Sequence, residues 1–152
     1  MTPKLITAKV VDILEAAAAL KFTINGTATQ TPVFTGVDGP DFVFDNGLPF
    51  IAINPAGNAL IRKRQGDVEE LRLSLLLTGY LPVRDREDSI VGTATYPGIY
   101  DLEAGIKSGL NAYYPALDGT ALHFEMTTFE YSVSGDGLGR MVGVELRVDY
   151  RA

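Results

Sequence analysis

The stretch MVGVELRVDYRA constrains the fold of this chain more than any other. From Val142 the apolar residues Val142, Val144, Leu146, Val148 and Tyr150 fall at every second position, with Gly143, Glu145, Arg147, Asp149 and Arg151 between them. Side chains of a β-strand alternate between faces, so this is the pattern of a strand with one face buried and one in water. Such a strand needs a sheet to join and a layer to cover that sheet. Its charged outer face and terminal position are expected to let it complete the sheet while resisting uncontrolled edge pairing.

Two segments have the helical period that could supply the cover. Thr2-Pro3 reads as an N-cap and first helical residue, because Pro pre-sets the helical φ and lacks an amide that would go unpaired there anyway. Ile6, Val10, Ile13, Leu14, Ala17 and Leu20 then share one face, and the run Ala16 to Ala19 adds helix propensity with little bulk. The second helix takes Asp101 as N-cap, repeats Leu102, Ile106, Leu110 and Tyr113 at helical spacing, and stops before Pro115. Gly105 and Gly109 weaken it by about 1 kcal/mol each relative to Ala, and two glycines four apart let another backbone come close.

Further strands are legible between the helices and after them. Phe50 to Ile53 is a short strand bounded by Pro49 and Pro55, and NPAGN after it reads as a turn. Leu71, Leu73, Leu75 and Leu77 alternate with Arg72, Ser74, Leu76 and Thr78, and apolar character on both faces near Leu76 predicts a central place in the sheet. Pro82 and the mixed charges from Arg84 to Asp88 end that strand. Leu122, Phe124 and Met126 hold one parity and Phe129, Tyr131 and Val133 the other, so a bulge near Thr127-Thr128 would keep all six on one face. SGDGLG turns the chain into the last strand. Phe22 to Phe44 is weaker, rich in Thr, Gly and Asp, and reads as irregular with one short strand.

The expected fold is therefore α+β, a mainly antiparallel sheet covered on one face by two amphipathic helices. The 152 residues form a single domain over 1–152, long enough to bury roughly 70% of the extended chain's surface.

Composition narrows the chemistry. Thirteen basic against nineteen acidic residues give a net charge of −6, which argues against a nucleic-acid binder that works by neutralising phosphates. The absence of Cys removes disulfides and thiolate metal sites. Lys4, Lys9, Asp12 and Glu15 interrupt the N-terminal apolar segment at helical spacing, unlike a signal peptide, and no run approaches the ~20 apolar residues of a membrane span. A soluble protein, intracellular when made and without a membrane partner, is the expectation. The lone His123 has no second His or Cys to form a metal site and takes a cross-strand or surface role. GDGLGR lacks the spacing and the following helix of a dinucleotide loop. Asp38, Asp41 and Asp45 invite a hard-cation or glycosidase idea but lack the order of a calcium loop, and read as solvated chain. No nucleophile elbow, phosphate loop or zinc-protease motif is present. No catalytic, metal or cofactor-binding residue is assigned, and no enzyme is expected.

What remains are surfaces. Arg62, Lys63 and Arg64 on one side of the long strand, and Arg84, Asp85 and Arg86 with Glu87 and Asp88 on the other, are ordinarily solvated turns. Flanking one strand and carrying both signs, they are also candidates for an interface whose register is set by charge. Tyr96, Tyr100, Tyr113 and Tyr114 gather about the second helix, where Tyr suits a half-wet surface, with core filling the expected role for at least half of them.

Taken together, the N-terminal helix, LPFIAINP, the acidic lead-in to a long strand in EELRLSLLLTGYLPV, the following helix and the final VELRVDYRA resemble the tail terminator proteins of long-tailed bacteriophages. Related tail-completion and head-to-tail joining proteins share that fold. The resemblance runs from Lys4 to Ala152 and lies in the order of elements, with Leu71, Leu73, Leu75 and Leu77 matching the central strand and Val144, Leu146 and Val148 the terminal one. It implies a subunit of a hexameric ring that caps the tail tube, ends its polymerisation and meets the head connector. The implied partners are further copies of the chain, the tail tube protein and the head–tail connector proteins, with DNA only as cargo through a pore. That the acidic excess partly lines this pore, keeping DNA from sticking, is a further expectation. The implied location is the virion tail, after assembly in the host cytoplasm, and no cofactor is implied. A head-to-tail ring needs two different, complementary patches on each subunit. A head–tail adaptor or minor tail protein of the same fold is the near alternative. From another class comes a small-molecule or carbohydrate-binding module that uses the Tyr-rich helix and the Asp38 to Asp45 loop.

Overall fold

The computed structural model of the chain describes residues 1–36, 48–63, 69–83, 87–133 and 137–152. Along the chain lie α1 (Pro3–Ala16), a 3-10 turn (Ala18–Leu20), β1 (Lys21–Ile24), β2 (Thr27–Gln30), β3 (Val33–Thr35), β4 (Phe50–Lys63), β5 (Glu69–Pro82), α2 (Asp88–Val91), α3 (Ile99–Asn111), β6 (His123–Val133) and β7 (Gly139–Arg151). The fold is α+β. Its main sheet has the order β3-β4-β5-β7-β6 and is antiparallel except where β3 joins β4.

The alternation of β7 predicts its burial: Val142, Val144, Leu146, Val148 and Tyr150 are all in the core. Its place differs from the expectation. β7 completes the sheet from within, paired to β5 from Glu70↔Arg151 to Pro82↔Gly139 and to β6 on its other side. An interior place gives both sides of its backbone ladder a partner, and the edge falls to β6. The long Leu-rich strand is central as predicted, between β4 and β7.

α1 and α3 cover one face, since their buried residues share a single core with Leu73, Leu75, Leu77, Val144 and Leu146. Thr2 caps α1 by accepting the Leu5 N–H at 3.3 Å, with Pro3 as the first helical residue. The helix stops at Ala16, and Leu20 reaches the core from the 3-10 turn instead. α3 starts earlier than predicted: Gly98 is the cap, and Asp101 accepts its N–H at 2.8 Å from inside the first turn. The two helical glycines let the 3-10 region come close. A Cβ at Gly105 would lie 2.7 Å from the Ala19 carbonyl oxygen, and one at Gly109 would lie 3.0 Å from the Ala17 Cβ.

Three strand readings need correction. The predicted turn NPAGN lies inside β4, which continues to Lys63 with bulges after Pro55 and Leu60. Pro55 is tolerated there because of the side it faces. Ile51 N–H and Ile53 C=O both bond toward β3, and β3 ends opposite Ile53, so the amide that Pro55 lacks points beyond β3's end. Lys21 to Gln30 is a hairpin rather than irregular chain, turned by Asn25 and Gly26 at φ 50° and 82°; Asn-Gly between Thr-rich arms is its signature. The bulge in β6 falls at Phe129, one residue later than predicted. Tyr131, opposite Val142, stays on the helix side with Phe124 and Met126, but Phe129 crosses to the other face. There its ring covers Gly143, where a Cβ would lie 2.6 Å from it.

Candidate functional site

Of the predicted interface residues, Arg62 is exposed near the end of β4, opposite Glu70 in the ladder, and the Lys63 backbone pairs with Glu69. Arg64, Arg84, Asp85 and Arg86 lie outside the described residues, as do Asp38, Asp41 and Asp45. β5 runs 14 residues from Glu69 to Pro82. A strand rises about 3.3 Å per residue, so its ends stand roughly 45 Å apart and cannot share one contact patch.

The face of the sheet away from the helices divides in two. At one end Phe50 stacks on Tyr80, with centroids 4.7 Å apart and planes at 16°, and Phe34 meets Phe50 edge-on at 6.0 Å. Ala52 is buried with this cluster and Met141 packs beside it. At the other end charges of both signs alternate across the strands. Arg72 makes a bidentate pair with Asp149 at 2.7 and 3.0 Å, and Arg147 meets Glu145 at 3.0 Å and Glu125 at 3.5 Å. Arg151 lies 3.9 Å from Glu70. The hydrogen bond to Asp149 raises the Arg72 pKa further, against a smaller opposing effect of burial, so the guanidinium keeps its charge. Exposed pairs of this kind contribute little to stability, and their main effect here is to keep half of this face polar.

The edge formed by β6 is the feature that sequence reasoning missed. Among the described residues β6 pairs only with β7, so the outer side of an 11-residue strand has no neighbour. Phe129, Tyr131 and Val133 are each about half exposed, at 52%, 52% and 50%. The Tyr131 hydroxyl donates to the Glu103 carboxylate of α3, and its ring meets that of Tyr100 edge-on at 5.7 Å. That hydrogen bond pushes the Tyr131 pKa up to about 12. The sequence did contain a signal for this edge. Around the bulge Glu125, Thr127, Thr128 and Glu130 put polar groups at both parities, and charges with a bulge are common protections of an open strand.

Where β6 begins, it borders α3 across a cavity of about 400 Å³ lined by Lys107, Asn111, Tyr114, His123, Phe124, Glu125 and Met126. The Tyr114 hydroxyl and His123 Nε2 are 3.2 Å apart. Only Tyr96 of the four clustered tyrosines is buried; Tyr100, Tyr113 and Tyr114 are exposed, fewer in the core than expected. The buried stripe of α3 is Ile99, Leu102, Ile106 and Leu110, and Tyr100 stands one residue, about 100°, off it. Tyr113 and Tyr114 follow the helix end.

No family model and no curated protein matches the chain. Among the described residues no group of three or more His, Cys, Asp or Glu could hold a metal ion, and no helix is long and apolar enough to cross a membrane.

Proposed function

We propose that this chain is a structural assembly subunit of the phage tail terminator type, one that closes a hexameric ring on the tail tube and offers a surface to the head connector. The observation that supports this reading is a sheet with two unlike flanks. On one side β6 carries half-exposed Phe129, Tyr131 and Val133. On the opposite side of the strand order β4 carries exposed Leu60 and Ile61 and then Arg62. Head-to-tail association requires two different surfaces on each copy, whereas a two-fold dimer needs one that matches itself. The net charge of −6 suits a pore through which DNA passes without adhering.

Native mass spectrometry and light scattering over a range of concentrations test the reading, with the chain alone and with tail tube protein. The expected result is a closed species on the order of six subunits, formed by the chain itself or on the tube end. A chain that stays monomeric in both conditions overturns it. Binding to connector but not to tube protein moves the assignment to a head–tail adaptor of the same fold. The cavity beside Tyr114 and His123 favours a second reading, a carbohydrate or small-molecule module, since it sets two rings next to the polar groups of Asn111, Lys107 and Glu125. Such a module remains monomeric and gains thermal stability with an oligosaccharide.

A further inference from the structure

The charge on β6 restricts what can cover its open side. Its ionised residues are Glu125 and Glu130, with no Lys or Arg in the strand. Pairing with β6 of another copy brings like charges together, which is destabilising in a ladder. A basic, partly apolar strand fits instead, and the described part of this molecule presents one. The end of β4 reads GNALIR, with Leu60 and Ile61 exposed at 54% and 47%. Arg62 is exposed without an ion pair among the described residues. No described residue pairs with the outer side of β4 beyond Ile53.

We propose that the outer edge of β6 receives the Gly57–Arg62 stretch of β4 from a second copy as an added strand, so that one sheet runs on into the next. This rests on the ring reading above and names the contact that would close it. The faces match. Leu60 lies opposite Leu71 on the helix side and Arg62 opposite Glu70 on the other. On β6, Met126 and Tyr131 stand on the helix side, and Glu125 and Glu130 lie opposite Arg147 and Gly143 on the other. A strand added in continuous pleat therefore sets Leu60 against the apolar rim beneath Tyr131 and α3, and Arg62 beside a glutamate. Main-chain hydrogen bonds supply affinity in such an addition, and the alternating side chains supply specificity.

The test is charge reversal with rescue in the full-length chain, under the conditions in which the unaltered chain assembles. Arg62→Glu, and separately Glu125→Lys with Glu130→Lys, are each expected to weaken assembly about tenfold or more, and the combined variant is expected to regain most of the loss. Circular dichroism and thermal melting identify any variant that fails to fold. For that case a second measurement uses the chain's lack of cysteine. Copies carrying Ile61→Cys are mixed with copies carrying Phe129→Cys and treated with a short bismaleimide. Cross-links between the two kinds of copy support the junction, and a predominance of links between two Phe129→Cys copies overturns it in favour of β6 meeting itself. Assembly indifferent to the reversals, or lost without rescue in folded variants, overturns this proposal alone. Failure of the unaltered chain to assemble, with or without tube protein, overturns the ring reading as well.

Discussion

β6 and β7 are hydrogen-bonded neighbours of 11 and 13 residues that use their apolar side chains in opposite ways. β7 buries its whole helix-side row, from Val142 to Tyr150, whereas β6 buries Phe124 and leaves Tyr131 and Val133 half in water. Intrinsic preference does not separate them, since both are rich in β-branched and aromatic residues. Neighbours do. β7 has a strand on each side and lies under the helices, while β6, among the described residues, has one strand beside it and a bulge that sends Phe129 to the far face. Regular alternation marked the interior strand, and the break in alternation marked the rim.

The sharpest way to break this contrast is to truncate one residue in each strand. Leu146→Ala in β7 removes a fully buried side chain and is expected to cost about 3 kcal/mol, within the usual 2–5, by urea unfolding. Val133→Ala in β6 should stay within about 0.5 kcal/mol. Equal losses would mean that Val133 is as enclosed as Leu146. A smaller effect tests the contact between the two strands. Gly143→Ala drives a Cβ toward the Phe129 ring, which can swing into solvent, so the expected loss is about 1 kcal/mol. In a double-mutant cycle Phe129→Ala should absorb most of that loss, and strict additivity would place the strain elsewhere. The smallest effect concerns pH. Tyr131 titrates near 12 rather than its ordinary 10.0 because its hydroxyl donates to Glu103. The stabilisation from this bond is present below the ordinary value and is lost as pH rises through the raised one, when the phenolate faces the carboxylate. Ultraviolet titration should show a late-ionising tyrosine that disappears in Tyr131→Phe, with stability near neutral pH changed by less than about 0.5 kcal/mol. Removal of a different transition by that variant would reassign the group.

Much of the fold could be read from local pattern. The cap at Thr2-Pro3, the centrality of Leu71 to Leu77 and the burial of the β7 row follow from period and backbone chemistry that act over a few residues. The close approach at Gly105 and Gly109 was also anticipated, although not its partner, the 3-10 turn. One misreading was local, the Asn25-Gly26 hairpin signature taken for irregular chain; the others below were non-local. Pro55 looks like a strand end until it is known which side β3 covers, and the length of β4 is set by a partner strand across a hairpin. The edge was hidden for a related reason: membership of a sheet is written in alternation, but position within it depends on which strands pair. Arg62 could be named from its charge, whereas the rim of Phe129, Tyr131 and Val133 could not be separated from a core row by hydrophobicity alone.

The insertion of β7 between β5 and β6 has a consequence for synthesis. A ribosome delivers the strands in numerical order, yet the last one delivered is the spacer that two earlier ones require. Until it emerges, β5 lacks a neighbour on one flank and β6 lacks any strand at all, so both spend that interval with raw backbone and greasy side chains on show. Translation speed and chaperone capture over this interval therefore bear on the yield of native protein.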